Sequence, residues 1–68
     1  LKVLNSRETE IACLIVDHLS NREIAEKLFL SEGTIKQYIN QIYSKLMISG
    51  DTRTKRKQLI ELISSIKQ

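Results

Sequence analysis

Sixty-eight residues, 41% of them apolar and 28% charged, describe one small globular domain rather than a disordered tail. A chain this short buries only about three-fifths of its unfolded surface, so its stability is modest. One cysteine excludes an internal disulfide, one cysteine and one histidine cannot assemble a zinc site, and no apolar run is long enough to cross a bilayer.

The only aromatic residues are Phe29, Tyr38 and Tyr43, so the core must be aliphatic. The net charge of +3 is unevenly spread. Residues 1–30 carry four cations against five carboxylates, whereas residues 31–68 carry seven against three. Positive charge gathered in one half suits a polyanionic partner. The lack of disulfides is compatible with a reducing compartment, and the expected location is the cytoplasm. Because the sequence opens on Leu1, it is expected to be part of a longer polypeptide, or a processed one.

No proline and only two glycines interrupt the chain, and strand-like alternation is rare, so the expected class is all-α with four helices in a single domain. Asn5 with Glu8 three positions on is a variant capping box, and the first helix should run from there to about Asp17. Its middle, Ile11 to Val16, is apolar around nearly the whole circumference, which places it at the centre of the bundle. Ser20-Asn21-Arg22-Glu23 is a full S-x-x-E capping box for a short second helix ending near Leu28, with Ile24, Ala25 and Leu28 facing inward. Phe29-Leu30-Ser31 then leads straight into a third helix capped by Ser31, and so short a turn forces a steep crossing.

The third helix carries Ile35, Ile39, Ile42 and Leu46 on one stripe. Lys36, Gln37, Asn40, Gln41 and Ser44 share the opposite arc without a carboxylate among them. Ser49 to Thr52 form a longer connection to the fourth helix, whose stripe is Leu59, Leu62, Ile63 and Ile66. Ile60 lies about 100° from Leu59 and is expected to be exposed. Cys13 reads as a small buried hydrophobe and His18 as a helix terminator. They stand five apart on one helix, about 140° around its axis, and assemble no catalytic pair. No enzyme, cofactor, metal or small-molecule site is expected.

A capped short helix, a tight turn and a second helix with an acid-free outer face describe a helix-turn-helix spanning about residues 20–46. Such a helix fits the major groove, where Asn and Gln match the paired donor and acceptor of adenine and Lys matches the acceptors of guanine. Ser31, Glu32, Gly33 and Thr34 lie at its N-terminus, where free N–H groups and the helix dipole favour a phosphate.

The run LNSRETEI followed by LSNREIAEKLFLSEGTIKQYINQIYSKLMI resembles the LuxR-type helix-turn-helix domain of bacterial transcription regulators. The resemblance covers Leu4 to Ile48. It implies sequence-specific binding of duplex DNA, with Lys36, Gln37 and Asn40 at base-reading positions. It places Thr34, Lys45, Arg22 and Tyr38 at sugar-phosphate positions, beside Ser31. It further implies a homodimer on an inverted repeat, paired through the fourth helix (Leu59, Ile60, Ile63), an upstream receiver or ligand-sensing domain, and room for a contact with RNA polymerase.

Three departures stand out. His18 replaces the usual Gly that ends the first helix in a left-handed conformation, a position His tolerates better than most residues. Tyr38 replaces the usual His. Between Ile48 and the family's next Arg, roughly five residues are inserted if Arg56 is that Arg, Arg53 being the other choice. The cluster Arg53, Lys55, Arg56 is either a second phosphate contact or a solvated charge run. Two other readings are open: a helical protein-interaction module that has lost DNA binding, and a nonspecific nucleic-acid binder with a steep salt dependence.

Overall fold

A computed structural model describes the backbone of residues 3–67 and the side chains of residues 3–65. It contains four helices: α1 (Ser6–Val16), α2 (Asn21–Leu28), α3 (Glu32–Lys45) and α4 (Thr52–Lys67). The all-α expectation therefore holds, and among the described residues there is no strand.

Each helix starts where a side chain can replace a missing backbone partner. Asn5 caps α1 by accepting the Glu8 N–H at 2.8 Å, while Glu8 accepts the Asn5 N–H at 3.0 Å. Ser20 and Glu23 exchange the same pair at α2, at 3.1 and 2.8 Å. Ser31 caps α3 through the Thr34 N–H at 3.1 Å. Asp51 does so for α4 through the Thr54 N–H at 2.8 Å, a cap the sequence reading does not include. Each such cap is worth about 1 kcal/mol.

The first three helices end alike. A 6→1 backbone bond runs from Leu19 N–H to Leu14, from Leu30 N–H to Ala25 and from Ile48 N–H to Tyr43, at 2.9–3.2 Å. Each closure places the preceding residue in the left-handed region: His18 (φ 67), Phe29 (φ 58) and Met47 (φ 57). These are Schellman ends built without glycine. The apolar residue after each, Leu19, Leu30 or Ile48, packs partly buried on the core.

The core is nearly all aliphatic. Ile11, Ile15, Ile24, Ile35, Ile42 and Leu59 are fully buried, and each such side chain contributes about 1.5–3 kcal/mol of burial. Tyr43 joins them, which the aliphatic-core expectation misses. Helix α1 packs against both α3 and α4, and α2 packs against α3, so α1 is central as its apolar girth requires. The radius of gyration is 11.0 Å, close to the roughly 11 Å of a compact chain of this length, so α4 folds back along α1.

The fourth helix corrects the expected apolar stripe. Its buried residues are Leu59 and Ile63, whereas Leu62 is 38% exposed and Ile60 is half-buried. The helix is thus turned toward Ile60, and Leu62 falls on its flank; Ile66 lies outside the described side chains. The connection expected at Ser49 to Thr52 is found there: Gly50, at φ 121, turns the chain, and α4 begins at Thr52. No helix among the described residues is long and apolar enough to cross a membrane.

Candidate nucleic-acid interface

Helices α2 and α3, joined by Phe29, Leu30 and Ser31, form the helix-turn-helix unit. Because Ile35, Ile39, Ile42 and Tyr43 bury one side of α3, the remaining residues are turned outward. Lys36, Gln37, Asn40, Gln41 and Ser44 are all exposed on one face, so the three residues expected to read bases are accessible together. That face offers amide donors and acceptors, a hydroxyl and one ammonium.

The residues expected at phosphates divide. Ser31 and Arg22 are exposed, Thr34 and Tyr38 half-buried. The hydroxyls of Ser31 and Thr34 share a hydrogen bond of 2.9 Å, so the α3 N-terminus is internally tied. Thr34, Gln37, Tyr38 and Gln41 line one shallow recess on the flank of α3.

Lys45 is different. Its ammonium donates to Glu8 Oε1 at 2.7 Å, and Glu8 is fully buried. The Lys45 hydrogen bond, helped by the Asn5 N–H, holds the Glu8 carboxyl below its ordinary value despite the opposing effect of burial. Lys45, expected at a phosphate, is thus exposed, its side chain 41% accessible, with its ammonium tied to Glu8. The partner lies 37 residues away, which no local pattern reveals.

The basic cluster also separates. The Arg56 guanidinium donates to the Leu19 carbonyl and, at 3.5 Å, to Asn21 Oδ1, which ties α4 to the loop before α2. The guanidinium is thereby anchored at the start of the helix-turn-helix. Lys55 places its ammonium 5.5 Å from the centre of the Tyr43 ring, within cation–π range. Burial pushes the Tyr43 hydroxyl above its ordinary value. Arg53 is exposed on another side of α4, beside His18 and Lys57.

Of the dimer residues expected on the fourth helix, Leu59 and Ile63 are buried in the chain's own core and Ile60 is half-buried. The exposed apolar side chains nearby are Leu62 and Met47, which line one recess with Ile48.

Among the described residues no group of His, Cys, Asp and Glu is placed to hold a metal ion. A capped short helix, a three-residue turn and a longer helix with one polar, acid-free face define the chain as a helix-turn-helix protein. Residues 2–57 match the model of the luxR family of bacterial regulatory proteins, and the chain belongs to that family. It is 46% identical over 50 residues to the transcriptional regulatory protein LiaR of Bacillus subtilis, covering 74% of this chain and 24% of that one. It is 42% identical over 50 residues to the transcriptional regulatory protein LnrK of Bacillus subtilis, covering 74% and 23%. To the oxygen regulatory protein NreC of Staphylococcus aureus it is 47% identical over 45 residues, covering 66% and 21%. The chain thus spans about a quarter of the length of the relatives it matches. No solved structure gives a significant match to it.

Proposed function

We propose that this chain binds duplex DNA in a sequence-specific way for transcriptional regulation, with α3 lying in the major groove. The observation that carries the reading is the exposed, acid-free face of α3, where Lys36, Gln37 and Asn40 stand together. The relatives named as transcriptional regulatory proteins support the same reading. Lys36 and Asn40 offer the donor and acceptor sets that guanine and adenine present in that groove. Arg22, Ser31, Thr34 and Tyr38 serve the sugar-phosphate backbone, which positions α3 without choosing sequence. In the whole protein this domain acts as the output module, at the C-terminal end of a longer regulator.

The test is selection of bound duplexes from a randomised pool at physiological salt. An enriched motif supports specific readout; retention without enrichment would leave only backbone binding. No retention would favour the protein-interaction module. Lys36→Ala should cost about 1–3 kcal/mol on the preferred site and relax the choice of base at one position. A uniform loss on all sequences would sink the base-reading role of Lys36.

Pairing of two copies on an inverted repeat belongs to the same reading, but through the other side of α4. Leu62 of α4 and Met47 of the turn after α3 supply the apolar contact there. Leu62→Glu should abolish a two-fold motif while leaving half-site binding intact.

A further inference from the structure

The start of α4 lies near the flank of α3, with the Lys55 ammonium over the Tyr43 ring. Between them lies an open groove of about 200 Å³. Its walls are Asn21 of α2, Lys36 and Asn40 of α3, and Thr52 and Lys55 of α4, with Ile39, Tyr43 and Arg56 completing the lining. Three cations and no carboxylate face it. Asp51, next to Thr52, is turned away to cap the Thr54 N–H. Among the described residues neither Lys36 nor Lys55 is paired with a carboxylate. The Tyr43 ring holds the Lys55 ammonium in place without neutralising it. Arg56 adds charge but is itself anchored to Leu19 and Asn21.

We propose that this groove takes a backbone phosphate of duplex DNA, so that the start of α4 is a third DNA-contacting element beside α2 and α3. The proposal rests on the DNA-binding reading above. A helix seated in the major groove has a sugar-phosphate strand along each flank. Lys36 and Asn40 lie where the reading face of α3 meets this groove, so a strand flanking α3 on that side passes its mouth. The Lys55 ammonium and the Thr52 hydroxyl are the donors it meets. The charge run is thereby divided: Lys55 faces the groove, Arg56 stands between it and the next surface, and Arg53 and Lys57 line only that other surface, with His18, Ile60 and Glu61.

The test measures affinity against salt for the wild type, Lys55→Met, Lys55→Arg and Lys57→Met, on a preferred and a scrambled duplex. Methionine keeps the apolar stem over Tyr43 and removes only the charge. Lys55→Met should weaken binding about fivefold near 0.15 M salt, equally on both duplexes, and reduce the log–log salt slope by about one. Lys55→Arg should restore both, and Lys57→Met should change neither. With wild-type protein, one neutral methylphosphonate in the duplex should reproduce the Lys55→Met loss, and Lys55→Met should be indifferent to it. A Lys55→Met variant that binds like the wild type overturns the groove site alone. Equal losses from Lys55→Met and Lys57→Met overturn it in favour of diffuse attraction. A wild type retained on no duplex overturns the DNA-binding reading and the groove together.

Discussion

Glu8 is the one charged side chain that is fully buried among the described residues, and its surroundings keep it ionised. Its Oε1 accepts from the Lys45 ammonium and the Asn5 N–H, while Oε2 is buried without a hydrogen-bond partner. The carboxyl is held below its ordinary value of 4.5 first by the Lys45 hydrogen bond and then by the Asn5 N–H. The cap carboxyls are lowered too: Glu23 by the Ser20 backbone N–H and hydroxyl, and Asp51 by the Thr54 N–H first. A carboxyl whose pKa is lower folded than unfolded stabilises while ionised. The contribution is complete above the ordinary values, 4.5 for the glutamates and 3.8 for Asp51, and is lost as pH falls through the lowered ones. The melting temperature should therefore be flat above about pH 5 and fall steadily below it. Glu8→Gln should flatten part of that acid limb; an unchanged limb would assign it to Glu23 and Asp51 alone. Lys45→Ala should destabilise more than loss of an ordinary surface lysine, because it leaves a buried carboxylate without its cation. Melts of Glu8→Gln across the acid range and of Lys45→Ala at neutral pH read the two effects. Equal melting of Lys45→Ala and wild type would sink the pairing.

Helix starts were far easier to read than helix ends. Asn5, Ser20 and Ser31 announce themselves by a polar side chain three residues ahead of the N–H it accepts. The ends use His18, Phe29 and Met47 where glycine is the usual signal, and only His18 was legible, from its place in the family pattern. What drives these ends is burial: the 6→1 bond delivers Leu19, Leu30 and Ile48 to the core, and that outweighs the left-handed strain. The strain itself is about 1–2 kcal/mol for a residue with a Cβ. Met47 is 89% exposed and loses little packing if replaced. Met47→Gly should stabilise the chain by about 0.5–1 kcal/mol, the relief less the added freedom of the unfolded chain. Gly50 tests the converse. At φ 121 a Cβ would also sit 3.3 Å from Thr54 Cγ2, so Gly50→Ala should cost about 1–2 kcal/mol. Urea unfolding measures both, and a stabilising Gly50→Ala would refute the turn geometry. The rotation of α4 was illegible for another reason. Leu59, Ile60, Leu62 and Ile63 are four apolar residues in five, so periodicity cannot choose between the Ile60 and Leu62 flanks.

At the scale of the whole chain, composition and spacing made the polar face of α3 legible, because exposure there follows from which residues the core takes. They did not reveal which cations are free. Lys45 and Arg56 find partners 35 to 37 residues away, and such pairings depend on how helices are arranged in space, not on local pattern. Arg56 matters most, since it links α4 to the segment that starts the helix-turn-helix. Its guanidinium reaches the Leu19 carbonyl and Asn21 Oδ1 at once, a fork that a lysine cannot reproduce. A hydrogen bond from a charged donor contributes about 1.5–3 kcal/mol, and the partly exposed setting puts Arg56 at the lower end. Arg56→Ala should therefore cost about 1–2 kcal/mol in unfolding, and Arg56→Lys should recover less than half of it. The consequence for DNA separates bracing from contact. A brace holds α2 in place for both preferred and scrambled duplexes, so affinity should fall on each while the salt slope stays as in the wild type. A slope reduced by about one would mean that Arg56 meets a phosphate itself, and that its tie to Leu19 gives way in the complex.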